Sequence, residues 1–339
     1  MRRFGILLWR LWLGGVITAM TVWGVGALSY HGPGNALLRS VLAAAFGLGT
    51  LGTLVWLPHR RRTLVDFVLV WAVLLAWWST ITPANERDWQ PDVAVLPSAT
   101  VDGDRLTLYN IRNFEYRTDT DFTPRYYNKT FDLQQLDEVD LLSSYWAGDA
   151  IAHVFVSFGF RGQDYVTISI ETRKERNEEY SPIRGFFKQY ELIYVVADER
   201  DVIRLRTTYR QPPEDVYLYR TRMPPRDARR LLMAYVQKMN RLVEHPAFYN
   251  TLTTNCTTNM LFHLRSFRGD IRYNWKILLS GYTAEYAYES GGLDTSMPFP
   301  ELRRHSRINA QALAAHAAAD FSQRIRAGLP RPPPRDTFQ

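Results

Sequence analysis

The chain has 339 residues, enough for one large domain or two ordinary ones, and its formal net charge is +7. The first 83 residues hold seven of the 41 basic residues and one of the 34 acidic residues, so the rest of the chain is nearly neutral. A nearly neutral domain lacks the concentrated basic surface that neutralises phosphate groups, which excludes nucleic-acid binding as its main function.

Three apolar runs occupy the N-terminal stretch, at about 11–28, 41–57 and 64–81. Each run is close to the ~20 residues that an α-helix needs to cross a bilayer, so we predict a membrane domain of three transmembrane helices over residues 1–83. Basic residues precede the first run and fill the turn 59–62 between the second and the third. The positive-inside rule then places the N-terminus in the cytoplasm and the domain after the third helix on the opposite side.

Signals for cofactors and metals are weak. Gly47, Gly49 and Gly52 have the spacing of a dinucleotide-binding fingerprint, but they lie inside an apolar run without the strand and amphipathic helix that the motif needs. The sequence has no paired-cysteine spacing and no His-Glu-x-x-His run. We therefore predict neither a cofactor nor a metal site.

Downstream, residues 84–104 are polar and bounded by prolines, and we interpret them as a linker to a domain at 105–328. Enrichment in β-branched and aromatic residues predicts strands at 105–116, 151–160, 165–173, 189–197, 202–209 and 216–219. Apolar residues at helical spacing predict helices at 228–243, from residue 256 to about 267, and at 309–327. Strands followed by helices indicate an α+β fold, and we predict that the proline-rich tail 329–339 is disordered.

Cys256 is the only cysteine of the chain and lies in the run TTNCTTN. An extracytoplasmic space is usually oxidising, yet a lone cysteine there cannot form an internal disulfide. The preceding threonines and Asn255 are helix-capping residue types, which places the thiol in the first turn of a helix. The helix dipole and the free N–H groups there lower the pKa of a thiol and can also hold an oxyanion. The alternative is a thiol that packs as a small apolar residue.

A thiol nucleophile needs a base, which is normally histidine. His263 follows Cys256 on the same helix but lies about two turns away, which makes it a poor direct partner. His245 ends a predicted helix, where a cation is ordinary, and His305 and His316 have no companion polar groups. Among the histidines of the domain at 105–328, these four are therefore weaker candidates than the fifth, which lies in the predicted strand 151–160.

His153 lies on the more polar face of that strand, because side chains alternate between the two faces. The next strand carries Glu171 on its polar face, and an odd-numbered loop around Gly162 would place His153 opposite Glu171 in a hairpin. We therefore predict that this carboxylate orients the imidazole. The alternative is an ion pair of Glu171 with Arg173 on an exposed face.

Three ordered motifs now carry a resemblance: AHVFVSFGF at 152–160, SIETRKE at 169–175, and the stretch 249–259 with its core NCTT. Over about residues 110–267 the chain resembles the periplasmic domain family named after the lipoprotein N-acyltransferase Lnb. The resemblance implies a circularly permuted NlpC/P60 papain-like fold, in which the histidine strand precedes the cysteine helix. It also implies a bacterial inner-membrane protein whose C-terminal domain is periplasmic.

The resemblance further implies a thiol acyl-enzyme mechanism, and the residues expected to take part fall into two groups. The catalytic candidates are Cys256, His153 and Glu171. The candidates for binding the substrate or the oxyanion are Asn255 and Thr257 at the helix start, Tyr249 as a pocket-lining residue, and Arg173 as a partner for an anionic headgroup.

Characterised members of that family move an acyl chain within a lipoprotein, from the glyceryl ester to the N-terminal amine. A membrane anchor raises the effective concentration of lipid acyl groups near the site. We therefore expect a cysteine acyltransferase or hydrolase acting on a membrane lipid or lipoprotein acyl ester. Two alternatives stay open: a cell-wall peptide amidase or endopeptidase of the NlpC/P60 type, with peptidoglycan as the substrate, and a non-enzymatic envelope protein. A deep apolar groove beside Cys256 favours acyl chains, and a narrow polar cleft favours peptides.

Overall fold

The computed structural model describes residues 2–56 and 60–332, and it describes side chains over 4–52 and 62–332. The chain forms two compact units. The helical unit comprises Met1–Ala84 together with Ser181–Gln189, and the sheet unit comprises Asn85–Tyr180 together with Tyr190–Gln339. The chain thus passes from the sheet unit to the helical unit and back between residues 180 and 190.

The helical unit contains α1 (Arg2–His31), α2 (Ala36–Trp56) and α3 (Arg60–Thr80). Two of its helices are long and apolar enough to cross a membrane, over Phe4–His31 and Arg62–Thr80. Within α2, the apolar stretch with described side chains is the shorter Ala36–Gly52. Among the described residues, two helices and not the predicted three therefore have the length and composition of a membrane span. The predicted end of the second run at residue 57 and the turn residue His59 lie outside the described residues.

Close packing between these helices depends on a glycine of α1. A Cβ atom at Gly24 would lie 2.5 Å from the ring of Phe46 and 2.9 Å from the side chain of Leu74. Any larger residue would push α2 and α3 away from α1, as is typical of small residues at contacts between membrane helices.

The described part of the sheet unit contains ten strands. Their bounds are β1 (Ser98–Asp102), β2 (Arg105–Arg112), β3 (Glu115–Tyr116), β4 (Phe122–Thr123), β5 (Tyr126–Asp132), β6 (Leu136–Tyr145), β7 (Ala152–Phe160), β8 (Asp164–Arg173), β9 (Glu191–Ala197) and β10 (Asp215–Arg220). Seven of them form the order β1-β2-β9-β8-β7-β6-β10, with β5 as a second partner of β2. The β2–β9 pair is parallel and the other pairs of this sheet are antiparallel. The mixed α+β class is as predicted.

The helices of the sheet unit come mostly after the strands. They are α4 (Glu199–Arg204), α5 (Pro225–Glu244), α6 (Cys256–Arg265), α7 (Trp275–Leu278), α8 (Thr283–Glu289), α9 (Phe299–His305), α10 (Asn309–Ala314) and α11 (Phe321–Arg324). Val154 and Val156 of β7 join an apolar cluster with α5 and α6, whereas Phe155 joins a second cluster with α4, α10 and α11. Because neighbouring strand residues point to opposite faces, the sheet has an apolar core on each side.

The predicted strand at 202–209 is wrong. This stretch continues α4 as a π-helical turn, Leu205–Tyr209. Its β-branched and aromatic residues favour a strand, but the Asp198 side chain accepts a hydrogen bond from the Arg200 N–H and caps a helix instead. Burial of Val202 and Ile203 in the second cluster then overrides the local propensity.

Other boundaries also differ from those predicted. Strand β1 lies within the segment 84–104 that we interpreted as a linker, and the helix predicted at 309–327 is divided into α10 and α11. In the predicted tail, Leu329 is buried and Arg331 forms an ion pair with Glu138 at 2.5 Å. Residues 333–339 of that tail lie outside the described residues.

Candidate active site

Cys256 is the first residue of α6, and the sequence before it explains why the helix starts there. The Asn255 side chain accepts hydrogen bonds from the N–H groups of Thr257 and Thr258, while the Thr258 hydroxyl accepts one from the Asn255 N–H. This reciprocal capping satisfies N–H groups that have no partner within the helix. The thiol is thereby fixed at the positive end of the helix dipole, and Cys256 keeps 9% of its surface exposed.

The imidazole of His153 meets this thiol. Hydrogen bonding to His153 and to the backbone N–H groups of Val154 and Thr257 lowers the pKa of the Cys256 thiol, so all three groups lie close to the sulfur. Strand β7 and helix α6 thus supply a base and two backbone donors to one atom. The sulfur and the imidazole come from positions about one hundred residues apart, which only the tertiary fold brings together.

Register explains how a carboxylate reaches the same imidazole. Strands β7 and β8 pair from Phe160 opposite Asp164 to Val156 opposite Ile168, and the same register continued along both strands reaches His153 and Glu171. The loop carries Gly162 at φ +65°, a conformation that glycine adopts without strain. His153 Nε2 lies 3.5 Å from Glu171 Oε1.

Ser169 bridges these two groups and was not among the predicted site residues. Its Oγ lies 2.6 Å from His153 Nε2 and donates a hydrogen bond of 2.7 Å to Glu171 Oε1. Because the serine proton goes to the carboxylate, the serine oxygen accepts the Nε2–H of the imidazole. A neutral imidazole protonated on Nε2 leaves Nδ1 as its basic nitrogen. The signal available in the sequence was the shared polar face of Ser169 and Glu171 on β8.

The pKa values of the three groups follow from these contacts. Burial raises the pKa of the Cys256 thiol, but the hydrogen bond and charge of His153 and the two backbone donors lower it, and the net pKa is below the ordinary value. Burial lowers the pKa of His153, yet its hydrogen bonds to Cys256 and Glu171 raise it to a net value above the ordinary one. Burial also raises the pKa of Glu171, and His153 together with nearby arginines brings it well below its usual range. The arrangement favours a thiolate beside an imidazolium beside a carboxylate.

Arg206 lies beside Glu171 and adds a positive charge to the network. Its Nη2 lies 3.4 Å from Glu171 Oε1, its Nη1 donates to the Val202 carbonyl at 2.9 Å, and its guanidinium lies over the Phe155 ring at 5.0 Å. Arg206 is buried and belongs to the π-helical turn, a feature that is frequent at functional sites. The sequence predicted a strand here, so this residue was missed.

Tyr249 also reaches the site. Its side chain is buried, and burial first, then the neighbouring Cys256, Tyr180 and Glu171, hold its pKa well above the ordinary value. The phenol therefore stays protonated at neutral pH. Tyr180, which is also near Cys256, is 45% exposed. One of the two tyrosines beside the thiol is therefore buried, and the other faces solvent.

The side chains of Asn255 and Thr257 serve the helix start. Asn255 Nδ2 donates to the Thr251 carbonyl at 2.6 Å, and the Thr257 hydroxyl donates to the Ile277 carbonyl at 2.7 Å. The Thr257 backbone N–H is the part of this residue that contacts the sulfur. Any contribution of this pair to an oxyanion site therefore comes from backbone positioning.

Arg173 is used elsewhere. Its guanidinium donates to the carbonyls of Val93 and Ala94 and to Asn85 Oδ1, and it lies 4.2 Å from the Trp89 ring centroid. These contacts fix the segment that leads into β1 against the sheet. The structure does not bring Arg173 to the thiol with Glu171.

The other predicted histidines have separate roles. His263 Nε2 lies 2.7 Å from the Tyr194 hydroxyl, and burial lowers the pKa of His263 to about 4, which keeps it neutral. His316 Nε2 lies 3.2 Å from the Tyr209 hydroxyl. Within the described part of the chain, no group of three or more His, Cys, Asp or Glu residues is arranged to hold a metal ion.

An apolar cavity of about 100 Å³ lies along the same helix and strand as the site. Met260 and Leu264 follow Cys256 on α6 at helical spacing, and Val156 follows Val154 on the same face of β7. Most of the remaining lining is aliphatic, and one buried hydroxyl of this lining, Thr283 Oγ1, has no hydrogen-bond partner.

One family of known proteins matches the part of the chain that carries the candidate site. Residues 122–283 match the profile of a family described as the Lnb N-terminal periplasmic domain. This range contains β7, β8 and α6, which carry His153, Glu171 and Cys256. Searches among curated proteins and solved structures find no match. The chain therefore carries, after two candidate membrane helices, a region similar to a periplasmic, envelope-associated domain family.

Proposed function

We propose that the protein is a membrane-anchored periplasmic cysteine acyltransferase or hydrolase that acts on a lipid or lipoprotein acyl ester through a thioester. In this proposal the helical unit anchors the chain in a bacterial inner membrane through α1 and α3, with the N-terminus in the cytoplasm. The observation that carries the proposal is the contact between the Cys256 thiol, at the start of α6, and the His153 imidazole, which Ser169 and Glu171 hold from the other side.

The first half-reaction forms the thioester. His153 accepts the thiol proton, and the sulfur attacks the ester carbonyl carbon to give a tetrahedral oxyanion. The backbone N–H groups of Val154 and Thr257, which lower the pKa of the thiol in the free protein, are the donors that we assign to that oxyanion. The C–O bond to the leaving alcohol then breaks, and the imidazolium returns its proton to the alkoxide.

The second half-reaction releases the acyl group. An amine or a water molecule loses a proton to His153 and attacks the thioester carbonyl, and the thiolate leaves. An amine acceptor gives acyl transfer, and water gives hydrolysis. Glu171 keeps its negative charge throughout and stabilises the imidazolium each time it forms, as its low pKa requires.

The apolar cavity along α6 supports an acyl substrate over a peptide. Its aliphatic lining begins one turn beyond the nucleophile, at Met260, and offers few polar groups to a peptide backbone. The chain order also supports a permuted NlpC/P60-type arrangement, because the histidine strand β7 precedes the cysteine helix α6.

The test is direct detection of the thioester. Full-length protein in detergent is incubated with a diacylated lipopeptide or with a peptidoglycan stem peptide, and its intact mass is measured. We expect one acyl adduct from the lipopeptide, which hydroxylamine removes and which Cys256→Ser abolishes. His153→Asn should also abolish it, whereas the matched variant of the other buried histidine, His263→Asn, should retain it.

Two other outcomes would each support a different function. An adduct or cleavage with the stem peptide alone would replace the acyl-ester proposal with the cell-wall peptidase alternative. No reaction with either compound, together with full function of Cys256→Ser in cells, would favour the non-enzymatic envelope protein.

A further inference from the structure

The segment Ser181–Gln189 joins two strands of the sheet unit but packs within the helical unit. It leaves the sheet unit after Tyr180 and returns at Tyr190, so it contributes nothing to the sheet between β8 and β9. A surface loop of a soluble domain has no need of such contacts, because loops normally stay on the domain that they connect. Two residues of the segment, Phe187 and Lys188, hold it to the helices.

Phe187 makes the first contact. Its ring stacks on Tyr30 with a centroid distance of 5.3 Å, near the C-terminal end of α1. It also covers Gly26, where an added Cβ would lie 2.2 Å from the ring. Phe187 is 9% exposed and thus fills a site on α1 that only glycine leaves open.

Lys188 makes the second contact. Its Nζ donates to the carbonyls of Trp78 and Ile81, at 2.8 and 3.0 Å, where α3 ends. Its own carbonyl lies 3.0 Å from His31 Nε2 at the end of α1. A cation at unsatisfied C-terminal carbonyls is favourable. Lys188 adopts φ +54°, a strained conformation for a residue with a side chain, and these contacts hold it there.

The rest of the segment has the composition of a membrane interface. Ile183 is 60% exposed and Phe186 is partly exposed, while Arg184 and Lys188 lie beside them. The helix ends that the segment contacts carry Tyr30 and Trp78. Aromatic residues with neighbouring cations are enriched where a bilayer meets water, and exposed aliphatic residues there enter the acyl region.

We propose that Ser181–Gln189 is a membrane-interface segment, and that Ile183 inserts into the outer edge of the lipid bilayer. The partner is the bilayer itself, and the continuity of the segment with the outer ends of the two membrane helices carries the inference. It requires that α1 and α3 span the membrane, but it does not require the thiol chemistry proposed above.

A single-cysteine experiment tests the insertion. Cys256→Ser removes the only thiol of the chain, and Ile183→Cys then adds one at an exposed position. The matched control is Val101→Cys in the same background, at a residue of β1 that is 42% exposed. Each full-length variant is labelled with an environment-sensitive NBD fluorophore and reconstituted into phosphatidylcholine vesicles, with or without lipids that carry a nitroxide near the headgroup.

We expect the label at position 183 to show blue-shifted emission and at least about twofold quenching by the nitroxide lipids, and the label at 101 to show neither. Equal emission and no quenching at both positions would overturn the inference. Equal quenching at both positions would overturn it too, because the segment would then be no closer to lipid than a strand of the sheet unit. Neither outcome bears on thioester formation, which is measured separately with Cys256 in place.

Discussion

Two buried charge networks share one face of β7, and they differ in what their protons can do. His153 and Ser157 lie on that face four residues apart. At His153 a serine, Ser169, bridges the imidazole to Glu171. At Ser157 the serine donates a 2.5 Å hydrogen bond to Glu199, and no imidazole or thiol takes part.

The second network is built from guanidinium and carboxylate groups. Arg326 Nη2 lies 2.5 Å from Glu199 Oε1 and 2.8 Å from Asp140 Oδ2, and the guanidinium lies over Tyr165 at 3.6 Å. Burial raises the pKa of Glu199, and Arg326 brings it below the ordinary value. This network therefore joins α4, β6 and β7 to the turn that follows α11.

The comparison separates structure from chemistry. Both networks are buried and both use a serine to reach a glutamate, so burial and charge alone do not identify an active site. The network at His153 contains two groups whose pKa values are shifted towards each other, the imidazole upwards and the thiol downwards. Shifts in these two directions favour proton exchange between the groups, whereas an arginine keeps its proton.

The largest expected effect falls on the structural network. Glu199→Gln removes a buried charge and leaves Arg326 undercompensated, so we expect the free energy of unfolding to fall by about 3–5 kcal/mol. The measurement is urea denaturation of the full chain in detergent, followed by intrinsic fluorescence. The matched control is Arg331→Met, which breaks a pair whose arginine side chain is 66% exposed and should cost less than about 1 kcal/mol. Equal losses in the two variants would show that burial of the network does not set its contribution.

The second effect falls on the thiol. His153→Gln removes the group that lowers the Cys256 pKa, so we expect the rate of alkylation by iodoacetamide at pH 7 to fall about 100-fold, equivalent to about 2.7 kcal/mol. Stability should change much less than in Glu199→Gln, because the His153 side chain is 16% exposed. An unchanged alkylation rate in a folded variant would show that His153 does not activate the thiol, and the two networks would then not differ in their chemistry.

A smaller effect is expected from the carboxylate, and its sign follows from the pKa shifts. Glu171 raises the pKa of His153, so Glu171→Gln lowers it, and the thiolate loses part of its cationic partner. The Cys256 pKa then rises, and the alkylation profile moves to higher pH, with about a tenfold lower rate at pH 7. Rates measured from pH 5 to 10 check this, and a profile displaced to lower pH would contradict the assigned contact.

Local sequence rules predict the elements that carry the candidate site. The capping residues before Cys256 predict a helix start, and the alternation around His153 together with the loop parity at Gly162 predicts its register with Glu171. Each of these signals acts over fewer than about twenty residues, within a helix turn or a hairpin. Their meeting at one sulfur was expected from the family resemblance, because spacing alone left the thiol unassigned.

The residues that the sequence missed are set by distant partners. Strand β6 was not among the predicted strands. Its Glu138 and Asp140 are both buried, because Arg220 and Arg326 from later parts of the chain pair with them. Arg206 was missed because its stretch has strand propensity and was predicted as a strand. Tertiary burial favours a π-helical turn there instead. Burial of a charged residue can be predicted from the sequence only when its counter-ion is close to it in the chain.

The smallest effect should come from Tyr249, and it tests how far the reactive network extends. Tyr249→Phe keeps the buried ring and removes a hydroxyl that stays protonated, since burial and the nearby Cys256 hold its pKa well above the ordinary value. A group that does not titrate near neutral pH cannot share the proton of the thiol–imidazole pair, so we expect the alkylation rate at pH 7 to change less than about threefold. Tyr235→Phe is the matched control, because it alters a buried tyrosine of α5 whose pKa is likewise raised by burial and by the neighbouring Cys256. A 100-fold loss in Tyr249→Phe alone would make the phenol a proton donor in the site and would extend the reactive network from β7 and β8 to the segment that precedes α6.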